Sequence, residues 1–300
     1  MIKTKIKHWA QGKMKALNTS VINQFEYISR AEYLNNLSLN CIEQGISDKK
    51  YWENEIIVSL TTYGKRLYEV YLAIESIMQQ TMKPNRIILW LSNEMKDVNI
   101  PIFLQKQQKR GLEIRYYKDI LAYKKLIPTM IAFPSAAIIT IDDDILFHYD
   151  LIENLVNAHL NNPGLVYCAR MHRMKLLTSD RLANYSKWEY ECNKYDISPF
   201  NFPTGGAGAL YPPNCFNKEI FNEDVFMNIC KYADDIWFKA MALLNNTMGQ
   251  RIHTYNGKNL LINPIAQDIT LSQINNGKKM NDIQLRNVFD KYNLYEKLTL

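Results

Sequence analysis

Three consecutive carboxylates, Asp142, Asp143 and Asp144, are the side chains of this sequence best suited to hold a metal ion. They follow an apolar run typical of a buried strand, where adjacent like charges are costly unless a cation or hydrogen-bond donors compensate them. Mg²⁺ and Mn²⁺ prefer oxygen ligands and share them with substrate phosphates. The triplet therefore predicts a divalent metal site, with strand alternation directing Asp142 and Asp144 to one side and Asp143 to the other. A solvated acidic turn, or the cap of the next helix, is the plainer interpretation.

A second acidic pair, Asp234 and Asp235, opens a stretch of helical spacing. Carboxylates are favoured at a helix N-terminus by the free backbone N–H groups and the macrodipole. A carboxylate held there is expected to keep a low pKa and stay ionised, which suits a base that accepts a proton from a substrate hydroxyl. The alternative is that Asp234 only caps the helix and Asp235 is a first-turn acid.

A glycine-rich segment lies between the two acidic motifs and contains Gly205, Gly206 and Gly208. Small residues let a bulky ligand approach the backbone closely. The segment lacks the spacing of the common phosphate-binding loops. A tight turn between strands is the alternative interpretation.

A parallel α/β sheet is the arrangement that would position these motifs. Short apolar runs alternate with stretches of helical spacing, and the predicted strands are 56–60, 86–91, 112–116 and 136–141. Strands that are apolar on both faces indicate a parallel sheet covered by helices on both sides. Ligands bind beyond the carboxyl ends of such strands, which here precede Thr61 to Arg66 and the aspartate triplet.

The second half of the chain has a less regular pattern. It predicts a helix over 149–160, a strand over 165–168, an irregular aromatic-rich stretch over 171–202 and a helix from Ala233. From about Asn256 the sequence is polar, with a terminal helix and no assigned chemistry.

Length and composition exclude several classes of protein. With 300 residues, 47% hydrophobic and 22% charged, the chain is neither disordered nor fibrous. No apolar run is long enough to predict a membrane-spanning helix, and the first residues do not predict a signal peptide. The five cysteines are scattered and include no CxxC motif, which argues against a disulfide framework or a zinc site. They predict a reducing compartment and hence a cytoplasmic protein.

The formal net charge of +6 is concentrated at the N-terminus, where the first 17 residues hold five lysines and no acid. The rest of the chain is almost neutral, so no nucleic-acid partner is expected. Apolar residues recur between the lysines at helical spacing, so residues 1–17 are candidates for contact with the inner face of a membrane. The alternative is a solvated helix packed on its own domain.

The order and spacing of the motifs resemble bacterial GT-A-fold glycosyltransferases of surface-polysaccharide and lipopolysaccharide biosynthesis. The most similar stretches are 59–63, 123–128, 201–205 and 233–240, and the resemblance covers about residues 55–255. It implies a GT-A-like α/β fold, with a Rossmann-type, mainly parallel sheet and helices on both faces. The implied organisation is an N-terminal helical extension (1–50), a catalytic domain (51–255) and a C-terminal tail (256–300). The nucleotide-binding half of the catalytic domain would end at 150 and the acceptor half would begin at 151.

The resemblance also implies a site on the donor side. The triplet matches the family's DXD motif, so Asp144 would bind Mn²⁺ or Mg²⁺ directly on the diphosphate of a UDP-sugar, beside Asp142 and Asp143. Asp142 would reach the ribose, or the metal through a water. The third ligand would be His253, although a lone histidine in a strand is commonly structural. The residues expected to face the nucleotide-sugar are Thr61, Thr62, Arg66, Lys125 (or Lys124), Gly205 and Gly206.

On the acceptor side, the acidic pair matches a family motif whose second carboxylate deprotonates the acceptor hydroxyl in inverting members. Asp235 would be that base, with Asp234 beside it. A glycan or a lipid-linked acceptor would lie near Arg170, His172, Arg173 and Trp188, either in direct contact or with these four as ordinary surface packing.

The predicted function is therefore a metal-dependent transfer of a sugar from a nucleotide-sugar to an acceptor hydroxyl. A sugar-phosphate nucleotidyltransferase is one alternative, but such enzymes usually carry a glycine-rich loop after the first strand, where this chain has only Gly64. A non-catalytic carbohydrate- or cation-binding module is the other.

Overall fold

The computed structural model describes residues 2–178, 181–254, 261–263 and 280–298, and within the first twenty residues it describes one side chain, that of Met14. The chain begins with a long helix, α1 (Ile2–Asn40). Its second half packs on the body through Tyr27 and Leu34, which are buried. The opposite face stays exposed at Val21, Phe25 and Ile28.

The four predicted strands are confirmed and form one side of a seven-stranded sheet. They are β1 (Ile56–Thr61), β2 (Arg86–Ser92), β3 (Leu112–Tyr117) and β4 (Ala137–Thr140). The helices between them are α2 (Val70–Met78), α3 (Ile102–Gln108) and α4 (Ile127–Ala132), and α4 follows a 3₁₀ turn over Leu121–Lys125.

Beyond β4 the chain forms shorter elements around the same sheet. In chain order they are β5 (Ile145–Leu146), α5 (Leu151–Asn161), β6 (Val166–Cys168), β7 (Met171–Arg173), β8 (Leu176–Thr178), β9 (Arg181–Leu182), β10 (Asn201–Pro203), β11 (Ala209–Tyr211), α6 (Glu223–Ile229), α7 (Asp234–Leu244), β12 (Gly249–Arg251), β13 (Leu261–Ile262) and α8 (Met280–Tyr292). The stretch expected to be irregular over 171–202 thus contains short strands.

The sheet order is β12-β6-β11-β4-β1-β2-β3, with β1 to β4 mutually parallel and β11 antiparallel to both of its neighbours. The chain runs from β1 outward through β2 to β3 and then returns to place β4 on the other side of β1. This reversal is a topological switch point, where open α/β sheets form a crevice beyond the carboxyl ends of their strands. The first strand ends there at Thr61, and the aspartate triplet directly follows β4.

Both faces of the sheet are covered, as the apolar strands predict. Alternate residues of β1 point to opposite sides: Ile57 joins a core shared with α7 and α8, whereas Val58 joins a core shared with α2 and α5. The α/β class, with a mainly parallel Rossmann-type sheet and helices on both faces, is therefore confirmed.

Described parts of the C-terminal stretch belong to the body of the protein. Strand β13 pairs with β5, directly after the triplet. Helix α8 packs on α7 and buries Leu285, Val288 and Phe289 in the α7-side core. Among the described residues, none of the helices combines the length and the apolar character needed to cross a bilayer.

Candidate functional site

Three segments meet at the switch point: the aspartate triplet, the glycine-rich turn and the start of α7. The backbone N–H of Asp142 donates to Gly206 O (2.9 Å), and Gly205 N–H donates to Asp235 Oδ1 (2.9 Å). Thr140, the last residue of β4, donates its hydroxyl to Gly205 O (2.9 Å). The structure therefore brings together three motifs that lie far apart in the sequence.

Asp143 is the buried member of the triplet and binds the turn that follows β1. Its carboxylate accepts from Thr62 Oγ1 (2.6 Å) and from Arg66 Nη1 (2.7 Å). Burial raises the pKa of Asp143, although the Arg66 charge and the Thr62 hydrogen bond oppose that shift. Asp143 thus fixes the two loops against each other and occupies two groups that were expected to face the nucleotide.

Asp142 and Asp144 do not share one side, so the predicted alternation is wrong. Asp144 Oδ2 lies 3.4 Å from Arg66 Nη2, on the side of Asp143, whereas Asp142 Oδ1 lies 3.0 Å from Lys125 Nζ. The physical reason is that β4 ends at Thr140, and Asp143 and Asp144 lie in a turn where strand alternation no longer applies.

Lys125 links the first aspartate of the triplet to the acidic pair. Its buried ammonium lies 3.0 Å from Asp142 Oδ1 and 2.9 Å from Asp234 Oδ2. Burial lowers the pKa of this amine, but the charges of Asp142 and Asp234 outweigh burial and hold the pKa well above its ordinary value. Lys124 instead pairs with Asp119, so of the two lysines considered from the sequence only Lys125 belongs to this site.

Asp142 lies just beyond the carboxyl end of β4, at the switch point where sheets of this kind form a crevice, here called the cleft. Its side chain keeps 40% of its surface accessible, although protein atoms surround it closely enough for burial to raise its pKa. The charge and hydrogen bond of Lys125, followed by the charges of Arg170 and Arg66, outweigh burial, so the pKa of Asp142 falls below its ordinary value. The carboxylate is ionised and reachable.

The space beside Gly205 and Gly206 is occupied by carboxylates and is not open to a ligand. A Cβ at Gly206 would overlap the Asp142 carboxylate, and a Cβ at Gly205 would lie 3.2 Å from Asp235 Oδ1. The room that the sequence suggested for a ligand at Gly206 is thus filled by Asp142 itself. The glycine-rich turn nevertheless contacts both acidic motifs.

Asp235 has the environment of a base that titrates near neutrality. Burial and then the negative charge of Asp234 raise the pKa of Asp235 to about 7, against the opposing effects of Lys125 and the Gly205 N–H. The low pKa expected from the helix N-terminus is therefore wrong, because burial and a like charge exceed the stabilisation by the helix end. The N-cap of α7 is Ala233 and makes no side-chain capping bond, so Asp234 is not a cap.

Two further expected residues lie apart from this network. Thr61 donates its hydroxyl to Trp90 O (2.8 Å), which ties the end of β1 to β2. His253 is exposed just beyond β12 and stacks on Tyr195 with ring centroids 3.7 Å apart. Among the described residues no group of three His, Cys, Asp or Glu side chains is close enough to hold a metal, so His253 is not assembled with the triplet.

Of the four residues expected on the acceptor side, Arg170 is the one whose charge acts on Asp142, and among the described residues no hydrogen bond or ion pair engages its terminal nitrogens. Trp188 is buried and donates Nε1–H to Ala183 O (2.9 Å). Arg173 is held by Asp196 and Asn201, each at 2.9 Å. Burial, reinforced by the Arg170 charge, lowers the pKa of His172 to about 4, so this imidazole is neutral at pH 7.

Tyr211 is a site residue that the sequence reasoning missed. Its hydroxyl is buried and, within the described ranges, has no hydrogen-bond partner. It would lie 3.3 Å from a Cβ on Gly205, on the side of Asp235. The tyrosine directly follows the glycine-rich segment in the sequence, but nothing in its spacing shows that its ring packs in the core with its hydroxyl near Gly205.

The carboxylates fit a hard divalent cation whose remaining ligands come from elsewhere. Asp142 is ionised and partly accessible, with Oδ1 bonded to Lys125, and Asp144 Oδ2 lies 3.4 Å from Arg66 Nη2. Mg²⁺ characteristically takes one or two carboxylates and completes its shell with water and substrate phosphates. Within the described ranges these two aspartates are therefore the residues that would contribute to such a site.

Comparisons with known proteins found distant likenesses only. A scan against protein-family models found no match. A search of curated proteins found none either.

Among solved structures, one similar chain is the mannosyltransferase PcManGT from Pyrobaculum calidifontis, solved in complex with GDP-Man and Mn²⁺ (10% identity, TM-score 0.41). The match covers 77% of this chain and 64% of that one. Another is the inositol-1-phosphate CTP transferase from T. maritima (12% identity, TM-score 0.40), where 79% of this chain and 96% of that one are covered. Both likenesses are too distant to indicate a substrate or a metal for this chain.

Proposed function

We propose that this protein is a glycosyltransferase that moves a sugar from a nucleotide-sugar, in particular a UDP-sugar, to the hydroxyl of a glycan or lipid-linked acceptor. Asp235 acts as the base, and the transfer inverts the anomeric centre. The observation that supports the proposal is that Asp235, with a pKa of about 7, and the ionised Asp142 are hydrogen-bonded to two consecutive residues of the glycine-rich turn, Gly205 and Gly206.

The acceptor hydroxyl needs a proton acceptor as it attacks the anomeric carbon. A base is most effective when its pKa lies near the working pH, because it is then largely ionised yet still binds the proton well. Asp235 meets this condition. The Gly205 N–H holds Oδ1 of Asp235 at 2.9 Å and thereby fixes the direction of the carboxylate.

The departing nucleoside diphosphate needs stabilisation of its charge. Asp142 and Asp144 are the residues that would hold Mn²⁺ or Mg²⁺, which supplies Lewis-acid stabilisation of that leaving group when bound. Lys125 lies within ion-pair distance of Asp142 and Asp234 at once, so one buried cation compensates a carboxylate of each acidic motif. Asp143, bound to Thr62 and Arg66, keeps the triplet at the end of β1.

The same base separates this proposal from a nucleotidyltransferase. In nucleotidyl transfer a sugar phosphate attacks the nucleotide, and its oxygen is already ionised at neutral pH. In nucleotidyl transfer, a carboxylate base with a pKa near 7 would therefore have no proton to remove from the attacking oxygen. The position of Asp235 therefore favours an acceptor hydroxyl.

Two substitutions test the assignment against a panel of nucleotide-sugars with Mn²⁺. Asp144→Ala is expected to lose metal-dependent UDP binding, measured by calorimetry, because it removes a proposed metal ligand. Asp235→Asn is expected to bind UDP normally and to lose at least about a hundredfold in donor turnover, the usual contribution of a general base. Near-normal turnover by Asp235→Asn would refute the base, and absence of UDP binding and of donor hydrolysis across the panel would refute the function.

We further propose that the exposed face of α1 rests on an anionic membrane surface. Met14, Val21, Phe25 and Ile28 are all more than half exposed on this helix. The same helix begins within a 17-residue stretch of five lysines and no acid. Apolar side chains entering the acyl boundary and lysines on anionic head groups are the two contributions that hold such a helix at an interface.

Co-sedimentation with vesicles tests this surface. The protein is expected to bind phosphatidylglycerol vesicles, to ignore phosphatidylcholine vesicles, and to dissociate at 0.5 M salt because the lysine contribution is screened. Phe25→Asp should abolish binding. Ile42→Asp is the matched control, since Ile42 is 89% exposed but lies beyond the helix. Equal loss in both variants, or equal binding to both lipids, would contradict the proposal.

A further inference from the structure

Arg170 is hydrogen-bonded to Thr204, which directly precedes Gly205, the residue whose N–H holds the Asp235 carboxylate. Strand β7 pairs with β10 so that Met171 faces Pro203, which places Arg170 beside Thr204. Arg170 O accepts from Thr204 N–H (3.2 Å), and Arg170 Nε–H donates to Thr204 Oγ1 (2.8 Å). The following N–H, that of Gly205, is the donor to Asp235. The guanidinium and the base are thus attached to two consecutive residues.

The guanidinium of Arg170 has binding capacity left. It is half-buried, and in the part of the chain that the structure describes no hydrogen bond or ion pair engages its two terminal nitrogens. The neighbouring Arg173 and Arg251, in contrast, are engaged by carboxylate, amide or carbonyl oxygens. The Arg170 charge nevertheless acts on the cleft, because it helps to lower the pKa of Asp142. A planar guanidinium with two free N–H edges matches a carboxylate or a phosphate.

Tyr185 lies within electrostatic range of this guanidinium, because the Arg170 charge acts to lower the pKa of its phenol, and Tyr190 packs against Tyr185. Tyr190 is 46% exposed, and Tyr185 is half-buried with its ring 5.5 Å from that of Tyr190 in an edge-to-face contact. Burial raises the pKa of Tyr185, and the charge of Asp235 raises it further, which places the phenol within electrostatic range of the base. Exposed aromatic rings with one polar end provide an apolar surface for the C–H face of a sugar and a hydroxyl for its edge.

The charges around these tyrosines determine how a sugar with a charged group would be oriented. The Asp235 charge reaches the phenol of Tyr185, and Asp282 of α8 accepts from Tyr185 N–H (2.6 Å). An anionic group on a bound sugar is repelled by both carboxylates and is attracted by the Arg170 charge, which also reaches Tyr185. A neutral hydroxyl is suited to the position beside Asp235.

We infer that Arg170, Tyr185 and Tyr190 form an acceptor subsite that selects a sugar carrying a negatively charged group. The tyrosines contact the sugar ring, and Arg170 binds the anion and thereby turns a hydroxyl toward Asp235. The inference rests on the proposed function and specifies the acceptor, which that function leaves open. Arg170 is a specificity-determining residue in this scheme.

Binding of three matched monosaccharides tests the subsite by ligand-observed NMR titration, with and without UDP and Mn²⁺. The probes are methyl glucoside, methyl glucuronoside and methyl glucoside 6-phosphate, which differ in whether the charge is absent, a carboxylate or a phosphate. At least one charged probe is expected to bind about tenfold more tightly than the neutral one, as a charge-assisted bidentate pair implies. The charged probe that binds identifies the kind of anion.

Three variants separate the contribution of Arg170 from that of the tyrosines. Arg170→Met is expected to remove the preference for the charged probe and leave the affinity for the neutral one, whereas Arg170→Lys should restore part of the preference. Tyr190→Ala should weaken the three probes alike and leave their ratio unchanged. Circular dichroism and thermal unfolding, measured on the same samples, show that each variant is folded.

Equal affinity for charged and neutral probes, or no binding of either charged probe, overturns the subsite. Loss of UDP affinity in Arg170→Met also overturns it, because the guanidinium would then serve the diphosphate of the donor. Failure of the proposed function is distinguishable from failure of the subsite. In the first case the unmodified protein does not bind UDP, whereas the ratio of probe affinities measured without UDP is unaffected.

Discussion

At the scale of single residues, the site depends on how a few carboxylates are compensated. Asp142 and Asp235 are both aspartates in one cleft, yet the pKa of Asp142 lies below its ordinary value and that of Asp235 rises to about 7. The difference arises because Lys125 lies 3.0 Å from Asp142, whereas Asp235 is next to the negative charge of Asp234. Groups whose environments separate their pKa values in this way commonly divide binding and proton transfer between them.

The raised pKa predicts the pH dependence of turnover. Because the carboxyl of Asp235 is protonated below about pH 7, kcat/KM for sugar transfer or donor hydrolysis should fall tenfold per pH unit below that value. Asp234→Asn removes the charge that raises this pKa and should shift the acidic limb to lower pH. The measurement is a pH profile of both proteins from pH 5 to 9. An acidic limb that stays in place in Asp234→Asn would contradict the assignment.

At the scale of elements, the sequence predicts the scaffold well and the contacts between segments poorly. The four parallel strands match their apolar runs to within one or two residues, because burial on both faces leaves a clear signal. The ion pairs from Lys125 to Asp142 and Asp234 join residues of three different segments, and no local pattern encodes that distance. The side-chain directions in the triplet could not be predicted either, since they depend on β4 ending at Thr140.

Helix α7 contains a second unusual group, one turn after Asp235. Lys239 is 4% exposed, and its amine has no hydrogen-bond partner among the described residues. It lines a small cavity with Tyr211, Thr247 and Gly249, and such a cavity has room for about one water molecule. Burial lowers the pKa of Lys239 to about 7.

Replacing this lysine should stabilise the protein at low pH. The unfolded chain binds the proton with a pKa near 10.5, so the folded state is destabilised below pH 7 and recovers stability between about pH 7 and 10.5. Lys239→Met is expected to raise the free energy of unfolding by roughly 2 to 4 kcal/mol at pH 6 and by much less at pH 10. Urea unfolding at both pH values measures the change. The exposed Lys231→Met is the control, and a pH-independent difference between the two variants would disprove the explanation.

At the scale of the whole molecule, the C-terminal helix completes the core. Phe289 of α8 is fully buried in the core formed with α7, whereas Ile283 of the same helix is 48% exposed. The polar, asparagine-rich composition before this helix gave no indication of that packing, because the signal consists of a few apolar residues that meet a distant helix.

The two positions on α8 predict opposite outcomes. Phe289→Ala should lower the free energy of unfolding by about 3 to 5 kcal/mol, the usual cost of removing a buried aromatic ring. Ile283→Ala should change it by less than about 0.5 kcal/mol. Thermal and denaturant unfolding of the full chain compare them. If both variants unfold like the original protein, α8 does not contribute to the core.

The packing of α1 has a mechanical consequence. Tyr27 and Leu34 pack together with Leu146, two residues after Asp144, and the Asp144 charge helps to raise the pKa of Tyr27. The second half of the helix is therefore packed directly on the strand that leaves the acidic loop. If the exposed face of α1 lies on a lipid surface, the tilt of the helix determines how far the aspartate triplet lies from that surface and how it is oriented.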